Sequence, residues 1–246
     1  MKAPWKTVVL KNFATNDSLH CVAYKPRQKS GRSLAEFTHG EEMMTAKPVL
    51  VFDLGGVLVD WNPRYLYRKF FQEDEAAMER FLAEVCTPEW NAKQDEGRSL
   101  AEATETLVAR HPAEEGLIRA FYDRWPEMVG GAVEGTVEIL ARLKAAGYLL
   151  YALSNWSAET YPYAQRRFDF LTWFEHAVIS GQIGLVKPDR AIFDHLLAKA
   201  GRPAAECIFI DDSPGNVTAA RDLGFDAIHF RSPSQLAGEL ARREIF

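Results

Sequence analysis

Four short segments gather the side chains that could do chemistry. Asp53 ends the apolar run VLVFD and leads into Gly55 and Gly56. Ser154 and Asn155 end YLLYALSN, Lys187 stands in GLVKPD, and Asp211, Asp212 and Ser213 end ECIFIDDS. A carboxylate at the end of a buried strand is well placed to act on a ligand. Adjacent acids such as Asp211 and Asp212 repel each other unless a cation offsets them, so a metal ion is the first candidate there. Each residue alone has a plainer reading: strand-end acids cap helices or form turns, and a lone lysine is a solvated charge. The Gly55-Gly56 pair is a turn, because it lacks the GxxxxGK spacing of a phosphate-cradling loop.

What must position these residues is a set of short apolar runs: 48–55, 148–155, 176–181, 206–213 and 226–230. Stretches with helical spacing separate most of them, among them GTVEILARLKAAG, DRAIFDHLLAKAG and PGNVTAARDLG. Runs that are apolar throughout and alternate with helices predict a parallel sheet buried on both faces, a doubly wound α/β core. In such sheets ligands bind beyond the carboxyl ends of the strands, which is where the polar residues fall.

Residues 61–128 break the alternation with helical segments alone, and read as a cap inserted between 47–60 and 129–246, the two parts of the core. Residues 1–46 are polar and without a sustained period, and read as a poorly ordered extension. Met43-Met44, just before the first strand, is a candidate natural start.

Composition narrows the class. A chain of 246 residues with a net charge of -5 offers no electrostatic footprint for nucleic acid. Cys21, Cys86 and Cys207 form no CxxC pair, so neither a disulfide framework nor a zinc site is expected. No stretch reaches the roughly 18 apolar residues needed to span a bilayer, and the expected location is cytoplasmic. The six histidines show no ligand spacing and are expected to be structural or on the surface.

Taken in order, DLGGVLVD, ALSN, KPDRAIF and FIDDSPGN resemble the four motifs of the haloacid dehalogenase-like hydrolase superfamily. The likeness covers roughly 48–231, with the helical insert in the position of that family's first-type cap. It implies that Asp53 is a nucleophile forming an aspartyl intermediate, with Ser154 holding oxygens of the transferred group and Asn155 framing the pocket. Lys187 would neutralise charge shared by Asp53 and the anion. Mg²⁺ would be held by Asp53, the Gly55 carbonyl and Asp212, with Asp211 as a direct or indirect partner. Asn216 would cap or contact the site from its helix start.

The paired acids separate a Mg²⁺-dependent phosphatase from a metal-independent 2-haloacid dehalogenase, whose chemistry needs no such pair. A non-catalytic binding module is the third possibility. One departure matters. Position 55, where most phosphatases of the family carry a second aspartate that protonates the leaving oxygen, is glycine. The stretch after Asp53 also resembles a DLGN-type branch that includes sugar-1-phosphate phosphatases, whose leaving group needs less protonation. The expected partner is therefore a small phosphorylated metabolite. Trp90, Asn91, Gln94 and Arg98 of the insert are candidates for facing it, and Trp61 for lining the entrance.

Overall fold

The computed structural model describes residues 47–72 and 74–246, so the expectations for residues 1–46, including the candidate start at Met43-Met44, lie outside the described residues. Among the described residues there are seven strands: β1 (Val49–Phe52), β2 (Val59–Trp61), β3 (Val129–Ala132), β4 (Leu150–Ser154), β5 (His176–Ile179), β6 (Cys207–Asp211) and β7 (Asp226–His229). The five apolar runs form one parallel sheet in the order β5-β4-β1-β6-β7.

Every residue of β1, β4 and β6 is buried, and side chains alternate between two apolar layers as the period of a strand requires. Leu50, Phe52, Leu150, Ala152, Ile208 and Ile210 join one layer. Val49, Val51, Tyr151, Leu153, Cys207 and Phe209 join the other. The first face is covered by helices Glu134–Ala145 and Pro233–Arg242, through Ile139, Leu140, Leu143, Leu236 and Leu240. The second is covered by helices Arg190–Ala200 and Pro214–Asp222, through Ile192, Phe193, Leu196, Val217 and Ala220.

Register decides where the polar residues land. Phe52 pairs with Ala152 on one side and with Ile210 on the other, and the Asp53 amide donates to the Ile210 carbonyl at 2.8 Å. Asp53, Ser154 and Asp211 therefore reach the same edge of the sheet. The chain order reverses at β1, with β4 and β5 to one side and β6 and β7 to the other, which opens a crevice above β1.

Between residues 64 and 128 the chain forms five α-helices: Arg64–Phe71, Glu75–Glu84, Pro88–Asp95, Leu100–Arg110 and Glu115–Asp123. Tyr67, Phe81 and Phe121 pack at their centre, and this apolar interior runs on into the first layer of the sheet. Helix Pro88–Asp95 starts cleanly because Thr87 accepts a hydrogen bond from the Trp90 amide and proline occupies its first turn. The antiparallel ribbon of β2 and β3 is the element that sequence patterning misses. Three- and four-residue strands, one of them VGGA, carry too few apolar positions to show a period.

The second layer supplies a test of this packing. Phe193 lies 5.5 Å from Phe209 and 5.7 Å from Phe225, ring to ring. Phe193→Ala is expected to lower stability by about 3–5 kcal/mol, read by urea denaturation. A loss below about 1 kcal/mol would mean that the helix does not cover that face.

Candidate active site

Asp53 emerges from β1 with both carboxylate oxygens engaged. Oδ1 accepts hydrogen bonds from the Leu54 amide and the Ser154 hydroxyl, each at 2.7 Å. Oδ2 lies 3.0 Å from Lys187 Nζ. That ammonium also reaches Asp211 Oδ2 at 2.6 Å and the Leu153 carbonyl at 2.8 Å, so its three donors all have partners in β1, β4 and β6 or just beyond them. Asn155 fixes the lysine's main chain: it accepts from the Lys187 amide at 2.8 Å and donates to the Lys187 carbonyl at 2.9 Å. Asp211 is saturated as well, by Lys187, the Ser213 amide and the Asn216 side chain.

The electrostatics follow from three acids gathered around one base. Burial pushes the Asp53 carboxyl up to about 7; Lys187 pulls it down, while Asp211 and Asp212 push it further up. Burial pulls the Lys187 ammonium down, but the Asp53 and Asp211 carboxylates outweigh it and hold the lysine above its usual range. Partial burial and then the charge of Asp211 raise Asp212, the exposed member of the group. Gly56 makes the closeness of the turn visible: it has φ +73°, and an added Cβ would sit 2.2 Å from Asp212 Oδ2. At Gly55 an added Cβ would meet nothing within 4 Å.

Beside Gly55 and Asn155 a cavity of about 130 Å³ opens between the sheet edge and the helical insert. Trp61 and Asn91 line it. Trp90, Gln94 and Arg98, expected to face a ligand, are not among its lining residues. The Trp90 ring stands edge-on to Phe121 at 5.1 Å and donates from Nε1 to the Ala103 carbonyl. Arg98 is tied to Gln94 Oε1 at 2.8 Å and to the Trp90 carbonyl at 2.9 Å, while buried Gln94 donates to the Tyr122 hydroxyl. Three aromatic residues of the wall, Tyr122, Trp125 and Trp156, and the carboxyl of Asp95 carry no sequence signal of their role, because only the tertiary fold turns them towards the sheet.

The model of a hydrolase family, haloacid dehalogenase-like hydrolase, matches residues 48–224. The chain belongs to this family. Sesquiterpene phosphatase astK of Aspergillus oryzae is 24% identical over 192 residues, covering 76% of this chain and 91% of that protein. A phosphoglycolate phosphatase of Mesorhizobium japonicum is 27% identical over 201 residues, covering 74% and 82%. Drimenol cyclase drtB of Aspergillus calidoustus is 32% identical over 91 residues, 37% of this chain, and the match spans only 17% of that protein's length. Among solved structures, a HAD-like family hydrolase from Porphyromonas gingivalis superposes with a TM-score of 0.63 at 26% identity, covering 80% of this chain and 98% of its own. Phosphatases thus stand among the relatives of this haloacid dehalogenase-like hydrolase.

The donor set fits a hard divalent cation. Asp53, Asp211 and Asp212 each present an oxygen within 4.8 Å of the others, and among the described residues Lys187 pairs with Asp53 and Asp211 but not with Asp212. Asp212, which takes no side-chain donor among the described residues, is the member free to turn towards an ion, while Asp53 and Asp211 are held in place by their own partners. Mg²⁺ at about 100 times its dissociation constant is expected to raise the melting temperature by roughly 5–10 °C. Asp212→Asn should shrink that shift, and the absence of any shift in the unsubstituted protein would contradict the fit.

Proposed function

We propose that this haloacid dehalogenase-like hydrolase is a Mg²⁺-dependent phosphatase that transfers the phosphoryl group of a small metabolite to Asp53 and then to water. The observation that carries the proposal is the cluster of Asp53, Asp211 and Asp212 around a single ammonium. A dehalogenase attacking carbon with one carboxylate gains nothing from two further acids, whose repulsion raises the cost of ionising the nucleophile. Asp53, Asp212 and the Gly55 carbonyl would hold the ion. When bound, Mg²⁺ supplies positive charge to the phosphoryl oxygens.

The chain's own groups then divide the work. Asp53 attacks phosphorus from a site where Leu54 and Ser154 already orient its carboxylate. Lys187 holds the negative charge that passes between Asp53 and the phosphoryl group, kept in place by Asn155. Asn216 acts through Asp211, not on the ligand. The buried free thiols of Cys86 and Cys207 are in keeping with a reducing, cytoplasmic setting.

The cavity supports a substrate class. Trp61, Tyr122, Trp125 and Trp156 give it flat apolar walls, and Asn91 and Thr160 add hydrogen-bonding groups. A sugar ring, with apolar faces and hydroxyl edges, suits that lining, so a sugar phosphate, a sugar 1-phosphate included, is the first reading. The same aromatic walls favour a second, a terpenoid phosphate, which is the kind of compound named for the Aspergillus oryzae phosphatase.

The test is phosphate release from p-nitrophenyl phosphate and from a panel of sugar and terpenyl phosphates, with Mg²⁺ and with EDTA, beside halide release from 2-haloacids. Phosphate release that EDTA abolishes is expected, with Asp53→Asn slower by on the order of 10⁴–10⁶-fold. Halide release indifferent to EDTA would overturn the proposal. A fold-intact protein with neither activity would return it to a binding module.

A further inference from the structure

Cleaving a phosphate ester of an ordinary alcohol leaves an alkoxide, which needs a proton as the bond to phosphorus breaks. No side chain at position 55 can give one. Across the cavity, however, stands Asp95, the last residue of helix Pro88–Asp95. Its carboxyl and Gly55 line the same space. That space is open on the Gly55 side, where an added Cβ would meet nothing within 4 Å.

Asp95 has no salt-bridge partner among the described residues. The main chain of Ser157, in the loop that follows Ser154 and Asn155, stands near enough to the Asp95 carboxyl to favour the ionised form. Asp95 thus stands between its helix in the insert and the Ser157 loop of the core, which line the same cavity.

We infer that Asp95 is the acid and base of the reaction, giving its proton to the leaving oxygen and later recovering one from the attacking water. This rests on the phosphatase reading above. In the first step an Asp53 oxygen bonds to phosphorus, the phosphorus–oxygen bond to the alcohol breaks, and its electron pair takes the Asp95 proton. In the second step water bonds to phosphorus, its proton goes to the Asp95 carboxylate, and the bond to Asp53 breaks to release inorganic phosphate. The alcohol therefore need not be anomeric: sugar phosphates on ordinary hydroxyls fall within reach.

The surroundings suit the first step at neutral pH. Burial pushes the Asp95 carboxyl up to about 7, the Ser157 amide pulls it down, and Glu96 on the same segment pushes it up. The end of a helix, with its negative partial charge, disfavours ionisation in the same direction. Tyr122 lines the same cavity, and burial keeps its hydroxyl protonated; Arg98 is bound to Gln94 and Trp90.

The experiment compares single-turnover release of nitrophenol from p-nitrophenyl phosphate with release of the alcohol from the fastest alkyl phosphate of the panel. Nitrophenolate leaves without a proton, so the ratio of alkyl to aryl rates isolates the acid. In Asp95→Asn, which keeps the size of the side chain, the ratio is expected to fall by about 10²–10⁴-fold. Asp95→Glu, which keeps a carboxyl, should recover most of it. Ionisation of Asp53 affects both substrates alike, so the wild-type ratio of alkyl to aryl rates should decline as pH rises through about 7, and that decline should vanish in Asp95→Asn.

An unchanged ratio in Asp95→Asn, or a ratio as low in Asp95→Glu, overturns the inference. If the wild type cleaves p-nitrophenyl phosphate but no alkyl phosphate, the phosphatase reading stands and this inference falls. If it cleaves neither, both fall.

Thermal melting separates a fold defect from a chemical one. A raised carboxyl favours the folded state below the unfolded value of 3.8 and loses that contribution as pH rises through about 7. Asp95→Asn should therefore melt no lower than wild type above that pH.

Discussion

A single buried ammonium holds the centre of this molecule together. Lys187 comes from the loop before helix Arg190–Ala200 and binds a carboxylate beyond β1, the carbonyl of Leu153 in β4 and a carboxylate at the end of β6. It thereby ties the three central strands at the edge where their polar residues emerge. A charge so deeply placed persists because the Asp53 and Asp211 carboxyls flank it and outweigh the cost of its burial. Removing one member of such a group typically costs about 3–5 kcal/mol, because the others are left buried and uncompensated. The pairing of Asn155 with the Lys187 main chain is part of the same requirement, since the ammonium must not drift.

The balance around Lys187 is incomplete by design of charge: three carboxylates, one ammonium. Asp211 takes the tightest contact and spreads its remaining capacity over Ser213 and Asn216. Asp53 and Asp212 are left with excess negative charge, and the turn at Gly56 packs closely against Asp212. This is an arrangement that a cation relaxes. The roof over it comes from the helical insert, which brings aromatic walls and one further carboxyl towards the same edge.

Much of the core is legible in the sequence because two independent patterns coincide. The five apolar runs are too continuous for one-sided burial, and the polar residues fall at their carboxyl ends, so VLVFD, YLLYALSN and ECIFIDDS announce both a parallel sheet and its working edge. The insert is less legible. Its helices show apolar faces, but which polar residue looks outward and which looks at the sheet depends on how the helices turn against each other. Trp90 and Arg98 look like ligand contacts in a line of text, yet one packs on Phe121 and the other on Gln94. Asp95, inside the charged string KQDEGR, reads as a solvated acid, and only the Ser157 loop, sixty-odd residues away in sequence, makes it otherwise. The ribbon of β2 and β3 escapes notice for a different reason, its shortness.

The central claim is that Asp53 attacks phosphorus and carries the phosphoryl group. A rapid-quench turnover in heavy-oxygen water, followed by mass spectrometry of the peptide containing Asp53, addresses it directly. The account predicts a transient phosphoryl adduct on that peptide, with the heavy oxygen found in released phosphate and none in the Asp53 carboxyl. Heavy oxygen built into Asp53, as attack on carbon followed by ester hydrolysis would leave it, or turnover with no adduct at any time, would contradict the account.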